Sequence, residues 1–361
     1  MRKHALYEGA ALTPYARTRR AGIASISMLA AVCILSGCSG DAAPGKTTES
    51  TGEYEVLELR YLGSPSNIST PEVAEDLGYL APLKLKWIGN STSGPESIQA
   101  TATGNTDFGS AFNGAVVKLV AAKAPIKTVM SSGGIDANTW NGYYVLDDSP
   151  IKTARDLLGK KIGLNTLGAH HEFMIREFLT RHGLTKEEIQ QVTLVVTPPL
   201  SGEQALRQRQ LDVTTLGGVL KEKALERGGI HPLFSDRQLF GDFSTSSTVM
   251  RTDFIQKNPH TTRKFIAACA KALEWLKTTP REEVIARFEK ISKARNTTDD
   301  ISALKYWKST GVASKGGLVA EKDFTVWVDW LVREGELKTG QWKATDFYTN
   351  AFNPFLDESK Q

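Results

Sequence analysis

Between residues 56 and 236, short strand signals alternate with helix signals, and they fall into two sets. The first set reads VLELRYLG, TPEVAEDLGYL, LKLKWIG, SGPESIQATATG, TDFGSA, GAVVKLVAAK and PIKTVMSS. LKLKWIG alternates strictly, the period of a strand, and TPEVAEDLGYL carries Pro71 at a first helical position. The second set reads KKIGL, HHEFMIREFLTRHG, VTLVVT, SGEQALRQRQ, DVTTLG and HPLFSD. Each set predicts a parallel sheet covered by helices, hence an α/β protein of two lobes. NGYYVLDDSPI between the sets reads as an extended crossover, and FSTSSTVMRTDF reads as the return. The remainder reads as helices over 259–279, 281–292, 299–309 and 322–334. Lobe 1 is thus expected over 54–148, lobe 2 over 149–240, and the return with C-terminal helices packed on lobe 1 over 241–361.

The first residues read as a processed segment. Arg2, Lys3, Arg17, Arg19 and Arg20 stand against one acid, Glu8, and an apolar run follows from residue 21 to 35. That run is short for a membrane span and fits a signal-peptide core. It closes on Leu35-Ser36-Gly37-Cys38, which resembles a bacterial lipobox, so Cys38 is the expected lipidation site and 1–37 the signal peptide. Thr18-Arg19-Arg20 leaves general and twin-arginine export both open. Residues 38–53, rich in Ser, Thr, Gly and Pro, read as a flexible tether. The expected location is the extracytoplasmic face of a bacterial cell membrane.

Charge follows the same division. The chain carries 44 Lys+Arg and 40 Asp+Glu, and removing 1–37 takes away five bases and one acid, leaving 39 of each. A formally neutral body gives no bulk attraction to nucleic acid. Beyond Cys33 and Cys38 only Cys269 remains, so no disulfide forms within the body. Cys269 stands among Ala, Ile and Leu at helical spacing and reads as a buried apolar residue.

Several stretches in order resemble one family, the substrate-binding proteins of ABC importers for taurine, alkanesulfonates and nitrate, with their thiamine-pyrimidine relatives. They are Glu75–Leu80 with LKLKW, GPESIQATATGNTDFGSAFNGAVVKLVAAKAPIKTV, SPIKTARDLLGKKIGL, GEQALRQRQLDVTTL and NPHTTRKFIAACAKALEWLKTTPREEV. The resemblance implies a type II periplasmic-binding-protein fold, two lobes joined by two crossovers. It implies a monomeric receptor, not an enzyme, with no cofactor and no metal. The receptor would capture a small organic anion such as an aliphatic sulfonate and pass it to a permease and ATPase. A heteroaromatic solute, or a sensor role without transport, are the alternatives. The pyrimidine-synthase relative would need a cysteine-rich motif, which is absent here.

The stretch NTLGAHHEF, residues 165–173, holds adjacent histidines at a predicted helix start. Neighbouring helical residues point about 100° apart, so His170 and His171 do not converge on one small ion. His182 lies about 16 Å along the same helix, too far to complete a metal site. His170 is therefore expected to face a ligand and His171 to pack. Taurine-type relatives resemble this, with a histidine at the position of His170 and an aromatic at that of His171. Their preceding hydroxyl residues are here Gly168 and Ala169, which removes two donors. A glycine-containing turn opening a helix still offers N–H groups and a dipole that favour an anion. Open α/β sheets bind at the carboxyl ends of their strands. That rule adds Ser64, Ser66, Asn67, Ser93, Gly94, Phe112, Asn113, Trp140, Gly217 and Gly218 as candidate ligand contacts.

Overall fold

A computed structural model describes residues 53–64, 67–91, 93–295 and 301–357. The expected signal peptide, Cys38 and Ser66 lie outside the described residues, as does all but the last residue of the expected tether.

Lobe 1 is built on β1 (Glu58–Gly63), β2 (Lys84–Asn90), β3 (Phe108–Phe112), β4 (Ile126–Ile135) and β10 (Phe243–Arg251). β1 and β2 run parallel, and β10 lies between β3 and β4, antiparallel to both. β1 sits beside β3: the Asp107 N–H donates to the Arg60 carbonyl at 2.9 Å, and the Arg60 guanidinium meets the Asp107 carboxylate at 2.7 Å. β2 alternates between exposed and half-buried residues and carries Lys84 and Lys86, the composition of a protected sheet edge. Helices α1 (Thr70–Asp76), α2 (Gly94–Ala102) and α3 (Asn113–Ala121) connect these strands. α1 opens with a Ser69/Glu72 capping box and Pro71, and the side chain of Ser93 caps α2.

Lobe 2 holds a five-stranded sheet in the order β7-β6-β8-β5-β9. Its strands are β5 (Gly142–Leu146), β6 (Lys161–Leu164), β7 (Thr193–Val196), β8 (Val213–Leu216) and β9 (Ile230–Ser235). Its helices are α4 (His170–Arg181), α5 (Lys186–Ile189), α6 (Pro199–Arg207), α7 (Gly218–Arg227) and α8 (Asp236–Phe240). Then come α9 (Thr252–Lys257), α10 (Pro259–Thr278), α11 (Arg281–Ala294) and α12 (Lys322–Arg333). α10 buries Phe265, Ile266, Cys269, Leu273 and Leu276 at i, i+3 and i+4 spacing against the lobe 1 core.

Four expectations change here. GYYVL is a strand, not a crossover: β5 pairs antiparallel with β8 and β9. Tyr143, Tyr144 and Val145 are fully buried, and a run apolar on both faces belongs inside a sheet. The first connection is therefore 136–141, closed by the Asp136 carboxylate on the N–H groups of Asn138 and Thr139. Neither lobe is purely parallel: β1 and β2 form a parallel pair, but β10 and β5 run against their neighbours. The return segment is itself the central strand β10. Within 299–309 the described residues form a 3-10 turn, Ile301–Tyr306, in place of an α-helix.

A second connection at Gly241 and Asp242 returns the chain to lobe 1. α12 then ties both lobes together. Its Trp327, fully buried, lies 5.6 Å from Phe112 of lobe 1 and 4.5 Å from Phe173 of lobe 2, ring centre to centre.

Candidate ligand-binding cleft

The carboxyl ends of the strands of both lobes open onto one cleft of about 950 Å³. Lobe 1 lines it with Ser64 and Asn67 after β1, Ser69 and Thr70 at the start of α1, and Ser91, Ser93 and Gly94 at the start of α2. Ser110 and Phe112 of β3 and Ser246 and Thr248 of β10 form the floor. Lobe 2 contributes Asn165, Thr166, Ala169, His170 and His171 around the start of α4, and Pro199 at the start of α6. Trp307, Ser309 and Thr310 complete the wall. Gly94 is required by close packing, since a Cβ there would fall 2.9 Å from the Ala111 backbone.

The electrostatics come from hydroxyls and helix ends. No Lys or Arg is among the described residues that line the cleft. The one carboxylate among the described lining residues, Glu72, is already engaged. It accepts from Tyr61 Oη at 2.9 Å, from the Ser69 N–H at 2.9 Å and from Ser69 Oγ at 2.6 Å, and it pairs with the buried Arg295. Burial, with Glu72 alongside, pushes the Tyr61 phenol well above its ordinary range. Arg295 also donates to the Ser64 and Asn67 carbonyls at 3.2 and 3.0 Å, so the cleft loop is held from α11. Helices α1, α2, α4 and α6 all begin at this wall, where first-turn N–H groups and the dipole favour negative charge. α4 begins after Ala169 with no side-chain cap. Gly168 makes the turn with φ +68°, and its N–H donates to Glu172 Oε2 at 2.6 Å.

The two histidines divide differently from expectation. Both line the cleft, but Nε2 of His170 lies 3.1 Å from Oδ2 of Asp236, and its Nδ1 is enclosed without a partner among the described residues. Asp236 accepts in addition from the Asn141 N–H at 3.0 Å and from Asn141 Nδ2 at 2.7 Å. His171 has Nδ1 3.4 Å from Tyr143 Oη. Burial first, and then the neighbouring His170, lower its pKa to about 3, so its ring is neutral at ordinary pH.

Of the residues expected at a ligand, Ser64, Asn67, Ser93, Gly94, Phe112, Ala169 and His170 line the cleft. Gly217 lines a smaller adjoining cavity, while Gly218, Gly168 and Trp140 line neither. Trp140 instead packs against the Lys221 ammonium, 3.8 Å from the ring centre. Asn113 is fully buried and structural: Nδ2 donates to the Ser244 and Asp323 carbonyls, and Oδ1 accepts from Ser247 Oγ at 2.6 Å. The hydroxyl floor of Ser110, Ser246 and Thr248 was not among the expected contacts. The signal was present in the serines of FGSAF and FSTSSTVMR, since such residues on buried strands pack poorly unless they face a polar space.

Two α/β lobes with helix N-termini converging on the cleft between them define a two-lobed α/β architecture with an inter-lobe cleft. The chain belongs to the NMT1/THI5-like family, whose model matches residues 67–283. It is 27% identical over 152 residues to a protein of Escherichia coli (strain K12) named as an aliphatic sulfonates-binding protein. That match covers 42% of this chain and 45% of the relative, so the chain spans under half the length of the curated relative it matches. Among solved structures it is similar to the periplasmic aliphatic sulphonate binding protein SsuA of Escherichia coli, at TM-score 0.64 and 19% identity over 82% of this chain and 92% of that one. It is similar to the periplasmic nitrate-binding protein NrtA of Synechocystis PCC 6803, at TM-score 0.60 and 15% identity over 80% and 84%. It is also similar to the desulfurization enzyme DSZB, at TM-score 0.55 and 15% identity over 82% and 97%. The fold therefore carries both receptors and an enzyme.

Proposed function

We propose that this protein is the extracytoplasmic receptor of an ABC importer, which captures a small organic anion such as an aliphatic sulfonate and delivers it to the permease. The observation that carries the reading is the cleft itself. It is a hydroxyl-lined space with no cation among the described lining residues, onto which the uncapped start of α4 opens. Such a site holds a diffuse oxyanion by N–H and O–H donors and a dipole, without a fixed counter-charge that would slow release. The relatives named for aliphatic sulfonates support the same ligand class. No reaction is assigned. The one cysteine among the described residues, Cys269, is buried on α10, where burial pushes its thiol pKa well up. Residues 1–37 are proposed as a lipoprotein signal peptide, with the anchor on Cys38 and 38–53 as the tether. The receptor is proposed to act as a monomer.

Calorimetry with alkanesulfonates, nitrate and pyrimidine heteroaromatics tests the ligand class. Saturable binding of at least one sulfonate is expected. Binding of a pyrimidine alone would replace the anion reading by the heteroaromatic one.

A further inference from the structure

Beside the main cleft lies a second cavity of about 200 Å³, lined by lobe 2 and by Asn141 of the first connection. The two share His171, Asn165 and Pro199 as a common wall. Its lining mixes apolar residues, Leu164, Pro199 and Leu220, with the polar Asn165, Thr214 and Thr215. Thr214, on β8, is 1% exposed and lines it, yet its hydroxyl has no hydrogen-bond partner among the described residues. Thr215 and Asn165 also line it, and their side chains are likewise without partners there. α7 begins at this wall after Gly217, with no side-chain cap on its first turn. Gly217 is held bare by packing, because a Cβ there would fall 2.0 Å from Asn141 Oδ1. A buried hydroxyl left unpaired costs free energy unless something fills the space and meets it.

We infer that the small cavity is a second compartment of the ligand site, which takes a carboxylate at the far end of the captured anion. The ligand class narrows to short two-ended anions, a sulfonate in the main cleft and a carboxylate behind His171. The volume suits a compact polar group of a few heavy atoms, since one water takes about 30 Å³ of liquid. Thr214 and the first N–H groups of α7 supply donors, and the α7 dipole favours the charge. His171 separates the two ends as a neutral ring and sets no charge barrier between them.

This inference rests on the sulfonate-receptor reading, and one experiment separates the two. Affinities are measured by calorimetry on the full-length protein for two matched pairs, butane-1-sulfonate against 4-sulfobutanoate and propane-1-sulfonate against 3-sulfopropanoate. The carboxylate member of at least one pair is expected to bind tenfold or more tightly. Thr214→Val, which keeps the shape and removes the hydroxyl, should bring that ratio below about threefold. Gly202→Ala should do the same independently, since its methyl would fall 2.6 Å from Thr214 Oγ1 and occupy the compartment. Ratios near one in both pairs for the wild type, or a ratio unchanged in both variants, would overturn the compartment while leaving the sulfonate receptor intact. If no sulfonate of either kind binds, the receptor reading fails and takes the compartment with it.

Discussion

His170 Nε2 lies 3.1 Å from Asp236 Oδ2, and Asp236 is fully buried. Asp236 begins α8, five residues before the return to lobe 1, and its other partner, Asn141, ends the first connection. One carboxylate therefore joins the start of α4 to both inter-lobe connections. His170→Ala is expected to destabilise the fold by about 1–3 kcal/mol, the cost of depriving a buried acceptor of one donor. Asp236→Ala is expected to cost more, because it orphans Asn141 as well. Urea unfolding of the two variants checks this, and an unchanged midpoint for both would remove the pair from the account of stability.

His171 is expected to make the fold acid-sensitive. Its folded-state pKa of about 3 lies below the ordinary histidine value of 6.5. The unfolded chain therefore takes up this proton first as pH falls. Stability is unaffected above pH 6.5 and declines progressively from there down to about pH 3. At pH 4.5 the expected contribution is roughly 2–3 kcal/mol against folding. His171→Gln should narrow the stability difference between pH 7 and pH 4.5 by about that amount. Parallel pH dependence in mutant and wild type would contradict the burial of this ring.

Asp323, at the start of α12, acts in the opposite direction. Burial raises its pKa to about 6, against the N–H groups of Ala320 and Ser244, which lower it. The folded state holds this proton more tightly than the unfolded chain does. Ionisation therefore costs stability as pH rises from about 4 to about 6, by up to roughly 2–3 kcal/mol. Asp323→Asn should gain on the wild type by that order between pH 4 and pH 7.5 in denaturant unfolding. A constant difference across the range would rule out the titration.

The lipobox reading predicts the fate of Cys38→Ala. Without the thiol neither the lipid nor its anchor forms, so the variant should leave the detergent phase for the aqueous phase or persist as uncleaved precursor. Phase partition of wild type and variant, expressed in a bacterial host, measures it. Equal membrane partition would show that the anchor does not depend on Cys38.

Periodicity alone carried most of the elements. The strict alternation of LKLKWIG became β2, and the i, i+3, i+4 spacing around Cys269 became α10. Pro71 marked the start of α1 from sequence, while the structure shows the cap to be Ser69 with Glu72 and ends the helix at Asp76 rather than Leu80. The carboxyl-end rule also brought Ser64, Asn67, Ser93, Gly94 and Phe112 to the cleft. What tertiary structure alone decided were the choices that depend on distant partners. GYYVL is compatible with an extended connection or a central strand, and only pairing with β8 and β9 selects the strand. α7 presents few buried residues, so its sequence has little amphipathic pattern to read. Asn113 looked like a cleft residue by position, but Ser244, Ser247 and Asp323, more than a hundred residues away, claim its amide. His170 and His171 are adjacent in sequence and equal in type. Asp236 engages one and Tyr143 contacts the other, and those partners, set by the packing of α8 and β5, decide which nitrogen is occupied. Local propensity determines what a segment becomes, whereas hydrogen-bond partners far along the chain exist only once the lobes have folded.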